Sequence, residues 1–226
     1  MFNKVRDIIL DFFCVLDNDD YTVIYTKSDT EGLNALANVL IQDKDDMVLT
    51  TRMEHHANDL PFRRVAKMVY VEVDVLGRIN IDDIEEELIK ANGKIKVVTI
   101  TGASNVTGYI TPIHDIARLA HKYGAVIIVD GAQLIAHREV NFAGNSKDEE
   151  IDFLTFSAHK AYAPFGSGAI VGKKDYLNEE DPFLSGGGCV AGVFDERLIW
   201  TAVPEKYEAG TQNFFGAIAM AKALSD

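Results

Sequence analysis

The feature that most constrains this chain is a set of short runs, rich in β-branched residues, that are apolar at nearly every position instead of at alternate ones. They are "YTVIYT" (21–26), "MVLT" (47–50), "KMVYVEV" (67–73), "KVVTIT" (96–101), "AVIIVD" (125–130), "DFLTFS" (152–157) and "GAIVG" (168–172). A strand with one wet face alternates, whereas one covered on both faces does not, so these runs read as strands of a mostly parallel sheet packed between helices. Stretches of helical period lie between them, at 30–41, 80–92 and 112–123. The last of these opens with Thr111-Pro112 and stops at Gly124, the expected punctuation for a helix. Only a Pro/Gly loop, Pro164 to Gly168, separates the last two runs. That is too short for a crossover helix, so this pair is expected to be antiparallel. The expectation is a three-layer α/β fold with about seven strands, one of them reversed.

Composition sets outer bounds on function. The 226 residues are 47% hydrophobic, enough for a sizeable core. A formal charge of −13 argues against nucleic acid and anionic membrane surfaces, since binding phosphate backbones needs concentrated Lys and Arg. Cys14 and Cys189 make neither a disulfide framework nor a CxxC pair. The start, "MFNKVRDIILDFF", is amphipathic and interrupted by charge, so it reads as a helix over 1–19 and not as a signal peptide or a membrane span. A cytoplasmic protein is expected.

In sheets of this kind ligands bind beyond the carboxyl ends of the strands. There the sequence sets Ser28-Asp29-Thr30-Glu31-Gly32, Glu54-His55-His56, Ser104-Asn105, Asp130 with Gln133, and Ser157, His159 and Lys160. An amine that attacks an aldehyde needs desolvation or cationic neighbours; otherwise Lys160 is an ordinary lysine after a strand. Asp130 ends a run of Ala, Val and Ile, an expensive place for a carboxylate without a cationic partner or a capping bond. "SDTEG" suits a phosphate through the N–H groups of a helix start, although it is also simply a good N-cap. Adjacent His55 and His56 point apart with no carboxylate cluster beside them, so no metal site is expected. Cys189 reads as an inert loop thiol. Neither "FGSGA" nor "GGGCVAG" has the context of a hydrolase elbow or a nucleotide loop.

Taken in order, "DTEGLN" (29–34), "MEHHAND" (53–59), "SNVTGYITPI" (104–113), "HKYGAVIIVDGAQ" (121–133), "DFLTFSAHKAYAPFGSGAI" (152–170), "GGG" (186–188) and "YEAGTQN" (207–213) resemble the fold-type I pyridoxal-phosphate enzymes of the class V aminotransferase group. The likeness is greatest to the double-histidine branch of cysteine desulfurases and selenocysteine lyases. The resemblance implies that Lys160 forms the Schiff base with the cofactor aldehyde and then moves the substrate's α-proton. Asp130 corresponds to the carboxylate on the pyridine nitrogen, and His55 to the imidazole stacked over the ring. Asn105 and Gln133 correspond to donors to the phenolic oxygen. Thr30, Ser157 and His159 correspond to the phosphate cup, to which Asp29 adds a backbone N–H. Thr211 matches a threonine that reaches the neighbouring subunit's phosphate site, which implies a homodimer.

Two departures accompany the resemblance. Asp29 stands where the pattern has threonine or a small neutral residue, and a carboxylate beside a phosphate repels it. Family members are also longer. The small C-terminal domain that carries the arginine for the substrate carboxylate, and in desulfurases the sulfur-accepting cysteine, has no counterpart here. The expected organisation is an N-terminal helix over 1–19, a cofactor-binding domain over 20–212, and the start of a helix toward a small domain over 213–226. The expected function is amino-acid chemistry of the cysteine desulfurase or selenocysteine lyase type. Transamination, another lyase reaction on the same scaffold, and cofactor binding without turnover are the alternatives.

Overall fold

The computed structural model describes residues 2–15, 19–178 and 180–226. Its centre is a sheet of seven strands: β1 (Tyr21–Thr26), β2 (Met47–Thr51), β3 (Lys67–Val71), β4 (Ile95–Thr101), β5 (Val126–Asp130), β6 (Phe153–Ser157) and β7 (Gly168–Lys173). Their order across the sheet is β1-β7-β6-β5-β4-β2-β3. Every pairing is parallel except the two made by β7, which runs against β1 and β6. The short loop before β7 thus reverses a single strand, as its length requires.

Alternate residues on each strand face two different cores. Leu49, Val98, Ile127, Val129, Leu154 and Phe156 join one cluster, completed by α1 (Phe2–Phe12), α4 (Ile81–Ala91), α5 (Ile113–Lys122) and α7 (Phe214–Ser225). Val48, Val97, Ile128, Phe153 and Ile170 join the other, covered by α2 (Asp29–Leu40) and the short α3 (Leu60–Arg63). This is why the strand runs carry no polar alternation. Each fully buried Leu, Ile or Phe in them contributes roughly 1.5–3 kcal/mol relative to exposure. Buried residues of α1 (Val5, Ile9, Leu10) and α7 (Ala217, Met220, Leu224) lie in the same cluster as β5 and β6, so both terminal helices share the core of the sheet.

Local signals explain most boundaries. Ser28 caps α2 by accepting from the Glu31 N–H, and Asn80 caps α4 by accepting from the Asp82 N–H. Gly124, at φ 75°, turns the chain after α5. The third run leaves the sheet earlier than expected: β3 ends at Val71, and Val73 forms an isolated bridge with Ile79. After the four-residue α6 (Asp175–Asn178) comes a hairpin that sequence reading did not anticipate, β8 (Val190–Phe194) and β9 (Arg197–Trp200). Its Val193, Phe194, Leu198 and Ile199 stay exposed, so it lacks the buried face that would have announced it.

Candidate functional site

Five of the segments that follow the strands meet at one cleft of about 230 Å³ on the carboxyl rim of the sheet. It is lined by Asp29, Thr30, His55, Asn105, Asp130, Gln133, Ser157, His159 and Lys160, so all the expected site residues but Thr211 come together there. Thr211 is exposed and lines a separate hollow beside β1 and β7, of about 280 Å³.

The β1–α2 junction reaches the cleft because β7 begins with a glycine. A Cβ on Gly168 would lie 2.5 Å from the Phe156 carbonyl oxygen and 3.0 Å from the Ser28 backbone, which crosses above it. That close passage sets the start of α2 against the end of β6. Two hydrogen bonds pin it there: the Asp29 N–H donates to Ser157 Oγ at 2.8 Å, and Thr155 Oγ1 donates to Asp29 Oδ1 at 2.5 Å. Both observations change the reading of Asp29. Its N–H, expected to face a phosphate, is taken by Ser157 because that hydroxyl lies within bonding distance. Its carboxyl, expected to repel a phosphate, is turned down against Thr155 and is only 5% exposed. Burial first, and the nearby Asp130 charge second, push that carboxyl up to about 7, against the pull of the Thr155 bond and Lys160. Ser157, having accepted from Asp29, keeps its own hydroxyl hydrogen for a ligand.

Asp130 ends β5 beside Thr101 of β4 and Thr155 of β6. It is 2% exposed and, among the described residues, accepts one hydrogen bond, from the Ala132 N–H at 2.9 Å. Burial raises its pKa; the Ala132 N–H and the charges of Lys160 and His55 oppose that rise without cancelling it. Lys160 sits in the 3₁₀ turn Ala158–Ala161 directly after β6. It is half-buried, and its Nζ makes no hydrogen bond among the described residues. In the same turn His159 stacks on Phe165, ring centroids 5.1 Å apart, with its imidazole exposed to the cleft mouth.

His55 precedes the 3₁₀ turn His56–Asn58. Its Nδ1 accepts from the Ala57 N–H at 3.1 Å, which leaves Nε2 as the nitrogen that bears the proton of the neutral ring. His56 is exposed, its ring centroid 6.1 Å from that of His55, and the described residues contain no His/Cys/Asp/Glu group able to hold a metal ion. Sequence reading assigned no role to two residues that shape the site. Thr155 holds Asp29, and Glu54, just ahead of the histidine pair, is half-buried among polar partners; the one available signal for Glu54 was an acid set directly before His55 at the end of a strand.

In chemical terms the cleft offers an unpaired amine, a buried carboxylate short of partners, an imidazole with one nitrogen free, and a helix start with hydroxyls around it. Comparison with known proteins identifies the family. The family model "Aminotransferase class-V" matches residues 1–225. A cysteine desulfurase from Haloferax volcanii is 35% identical over 210 residues, covering 89% of this chain and 48% of its own length. One from Synechococcus elongatus is 33% identical over 211 residues, covering 89% of this chain but 32% of its own. The crystal structure of the Escherichia coli cysteine desulfurase CsdA superposes with a TM-score of 0.88 at 28% identity, over 99% of this chain and 56% of that one. An apo cysteine desulfurase from Thermococcus onnurineus NA1 gives 0.86 at 30%, over 99% and 55%. The chain thus spans between about a third and a half of the curated relatives it matches. No helix among the described residues is long and apolar enough to cross a membrane. With the model match running nearly end to end and the sheet topology in accord, the chain belongs to the class V aminotransferase family, a family of pyridoxal-phosphate-dependent enzymes.

Proposed function

We propose that the rim cleft binds pyridoxal phosphate and that the chain is the cofactor-binding part of an enzyme of the cysteine desulfurase or selenocysteine lyase type. The single observation that carries this reading is Asp130: a carboxylate 2% exposed, held by one backbone N–H, facing a cleft that also holds an unbonded lysine. A buried carboxylate short of donors is stabilised by a cation, and a protonated pyridine nitrogen is one of matching size and geometry. The remaining donors fit the rest of the group. Ser157, His159, Thr30 and the start of α2 suit the phosphate, while Asn105 and Gln133 suit the phenolic oxygen.

When bound, pyridoxal phosphate supplies an aldehyde for an amine and a ring that takes up electron density from the substrate's Cα. Lys160 would provide the amine that holds the group, and its Nζ would carry the substrate's α-proton. Asp130 keeps a proton on the ring nitrogen by accepting from it. His55, its Nδ1 engaged by Ala57, offers only Nε2 for exchanging a proton with a ligand. The start of α2 lends its dipole to the phosphate, with Ser157 free to donate because Asp29 serves as donor to it. Two copies of the chain pair as a homodimer, in which the exposed Thr211 of each reaches the other's phosphate site. Residues 20–212 carry the cofactor-binding side chains in this reading.

The test is reduction of the cofactor-loaded chain with borohydride, followed by peptide mapping. The expected result is loss of the visible absorbance and a label on the peptide containing Lys160. A label elsewhere, or a chain that stays colourless with added cofactor, overturns the reading.

A further inference from the structure

Glu54 is a carboxylate near the rim to which the proposed chemistry gives no task. Its Oε1 is 2.6 Å from Thr51 Oγ1, at the end of β2, and its Oε2 accepts from Asn58 Nδ2 at 2.7 Å. Asn58 in turn accepts from Thr99 Oγ1, in β4, at 2.5 Å through Oδ1, and its N–H donates to the His55 carbonyl at 2.8 Å. Asn58 is fully buried and Thr99 likewise. The Glu54 side chain therefore ties together the residues on both sides of His55 and, through Asn58, anchors them to the middle of the sheet. The imidazole itself is exposed, and its one hydrogen bond among the described residues is that from Ala57, in the same turn.

We infer that Glu54 is a positioning residue, which sets the turn bearing His55 and so aims the His55 ring, with Nε2 outward, across the cofactor cleft. Its role is as a neutral acid. Burial pushes its carboxyl up to about 8, and the Thr51 and Asn58 bonds, which pull the other way, fall short of reversing this; the charge on Asp130 adds to the rise. In the protonated form Oε1 donates to Thr51 Oγ1 across the same 2.6 Å while Oε2 goes on accepting from Asn58. A glutamine reproduces that pattern, its amide N–H₂ on Thr51 and its carbonyl on Asn58, whereas an alanine removes both ends of the tie.

The consequence for cofactor binding rests on the reading above; the consequence for His55 does not. The experiment compares the chain with Glu54→Gln and Glu54→Ala. The ring ¹⁵N shifts of His55 are recorded without cofactor, and pyridoxal phosphate affinity and thermal stability are measured separately. Glu54→Gln is expected to keep the Nε2–H tautomer and near-unchanged affinity. Glu54→Ala is expected to give a mixture of tautomers and to weaken the affinity about two- to tenfold, the worth of one lost hydrogen bond. If Glu54→Ala does not fold, Thr51→Val, which removes only the β2 side of the tie, is expected to shift the tautomer balance in the same direction. Lower stability with the His55 ring signals unmoved in every variant overturns the inference. So does a Glu54→Gln that behaves like Glu54→Ala. Failure of the unmodified chain to bind pyridoxal phosphate counts against the proposed function alone, because the ring signals still test the positioning.

Discussion

Asp130 and Asp152 are buried carboxylates at opposite ends of neighbouring strands, and they could hardly be treated more differently. Asp152, fully buried just before β6, accepts from His121 Nε2 at 2.9 Å, from the Ile127 N–H at 2.9 Å and from Lys173 Nζ at 2.8 Å. Burial alone would raise its pKa, but His121 and Lys173 together outweigh that and hold it below the ordinary value. His121 faces the Asp148 carbonyl through its other nitrogen, so both ring nitrogens meet acceptors and the ring is held as a cation. Asp130 has one N–H, and its pKa goes up. The amino end of the sheet is electrostatically complete within the chain. The carboxyl end is not, and an unmet carboxylate in a cleft is what a binding site looks like before its ligand is considered.

The strongest way to break this contrast is to remove the complete carboxylate. Asp152→Ala leaves Lys173 and His121 without their buried partner and is expected to cost about 3–5 kcal/mol of stability. Thermal or urea unfolding checks it. Pyridoxal phosphate affinity of the fraction still folded is expected to stay the same, since Asp152 lies at the far end of the strands. A loss of affinity as large as the loss of stability would show that the two ends are not separate.

Titration separates them next. Asp152 has a lowered pKa, so its contribution is present above its unfolded value and disappears as pH falls toward its folded one. Glu54 at about 8 and Asp29 at about 7 have raised values. Their contribution is present below about pH 4 and is withdrawn as pH rises through 7 to 8. Acid should therefore loosen the amino end, and mild alkali the carboxyl end. Between pH 5 and 9 Glu54 alone is expected to cost on the order of 3 kcal/mol, a loss that Glu54→Gln removes. Unfolding curves of the two forms at the two pH values decide it; parallel pH dependence would mean that Glu54 is already ionised.

The same contrast bears on what could be read from the residues alone. Asp130 was legible because a carboxylate at the end of "AVIIV" is costly in any fold that buries the run, and Lys160 because it leaves the core beside Ser157 and His159. The strands were legible because both faces are covered, which removes alternation. The Asp152 cluster was not: His121 lies in the last turn of α5, Ile127 lies in β5 and Lys173 ends β7, and only the pairing of strands brings them together. The inward turn of Asp29 was equally hidden. It depends on Thr155, far away in sequence, and on the absence of a Cβ at Gly168. What strand order and close passage decide, local pattern does not carry.

A sharper form of the comparison replaces the incomplete carboxylate by an uncharged mimic. In Asp130→Asn the cofactor-free chain loses a buried charge that has little to hold it, so its stability at neutral pH is expected to be unchanged or higher. Cofactor affinity is expected to fall by about 1.5–3 kcal/mol, the worth of a hydrogen bond to a charged group, or roughly ten- to 150-fold. Spectroscopic titration with pyridoxal phosphate beside an unfolding curve reads both. A variant that loses stability and affinity together would make Asp130 a structural group like Asp152.

The smallest effect concerns what lies outside one chain. If the open end of the sheet is completed by a second copy as well as by the cofactor, Thr211 belongs to the partner's site and not to its own, as its exposed position outside the cleft allows. Thr211→Ala should leave stability within about 0.5 kcal/mol, because an exposed hydroxyl contributes little to folding. It should weaken cofactor affinity by about 0.5–1.5 kcal/mol, one neutral hydrogen bond, and do so only at concentrations where the chain is dimeric. Dilution then supplies the control: affinity of the unmodified chain should drop toward that of Thr211→Ala as the dimer dissociates, and the two should converge. Equal affinities for both forms in the dimeric range would remove Thr211 from the site. A difference that persists in the monomer would instead return Thr211 to its own cleft, against the geometry that sets it beside β1 and β7.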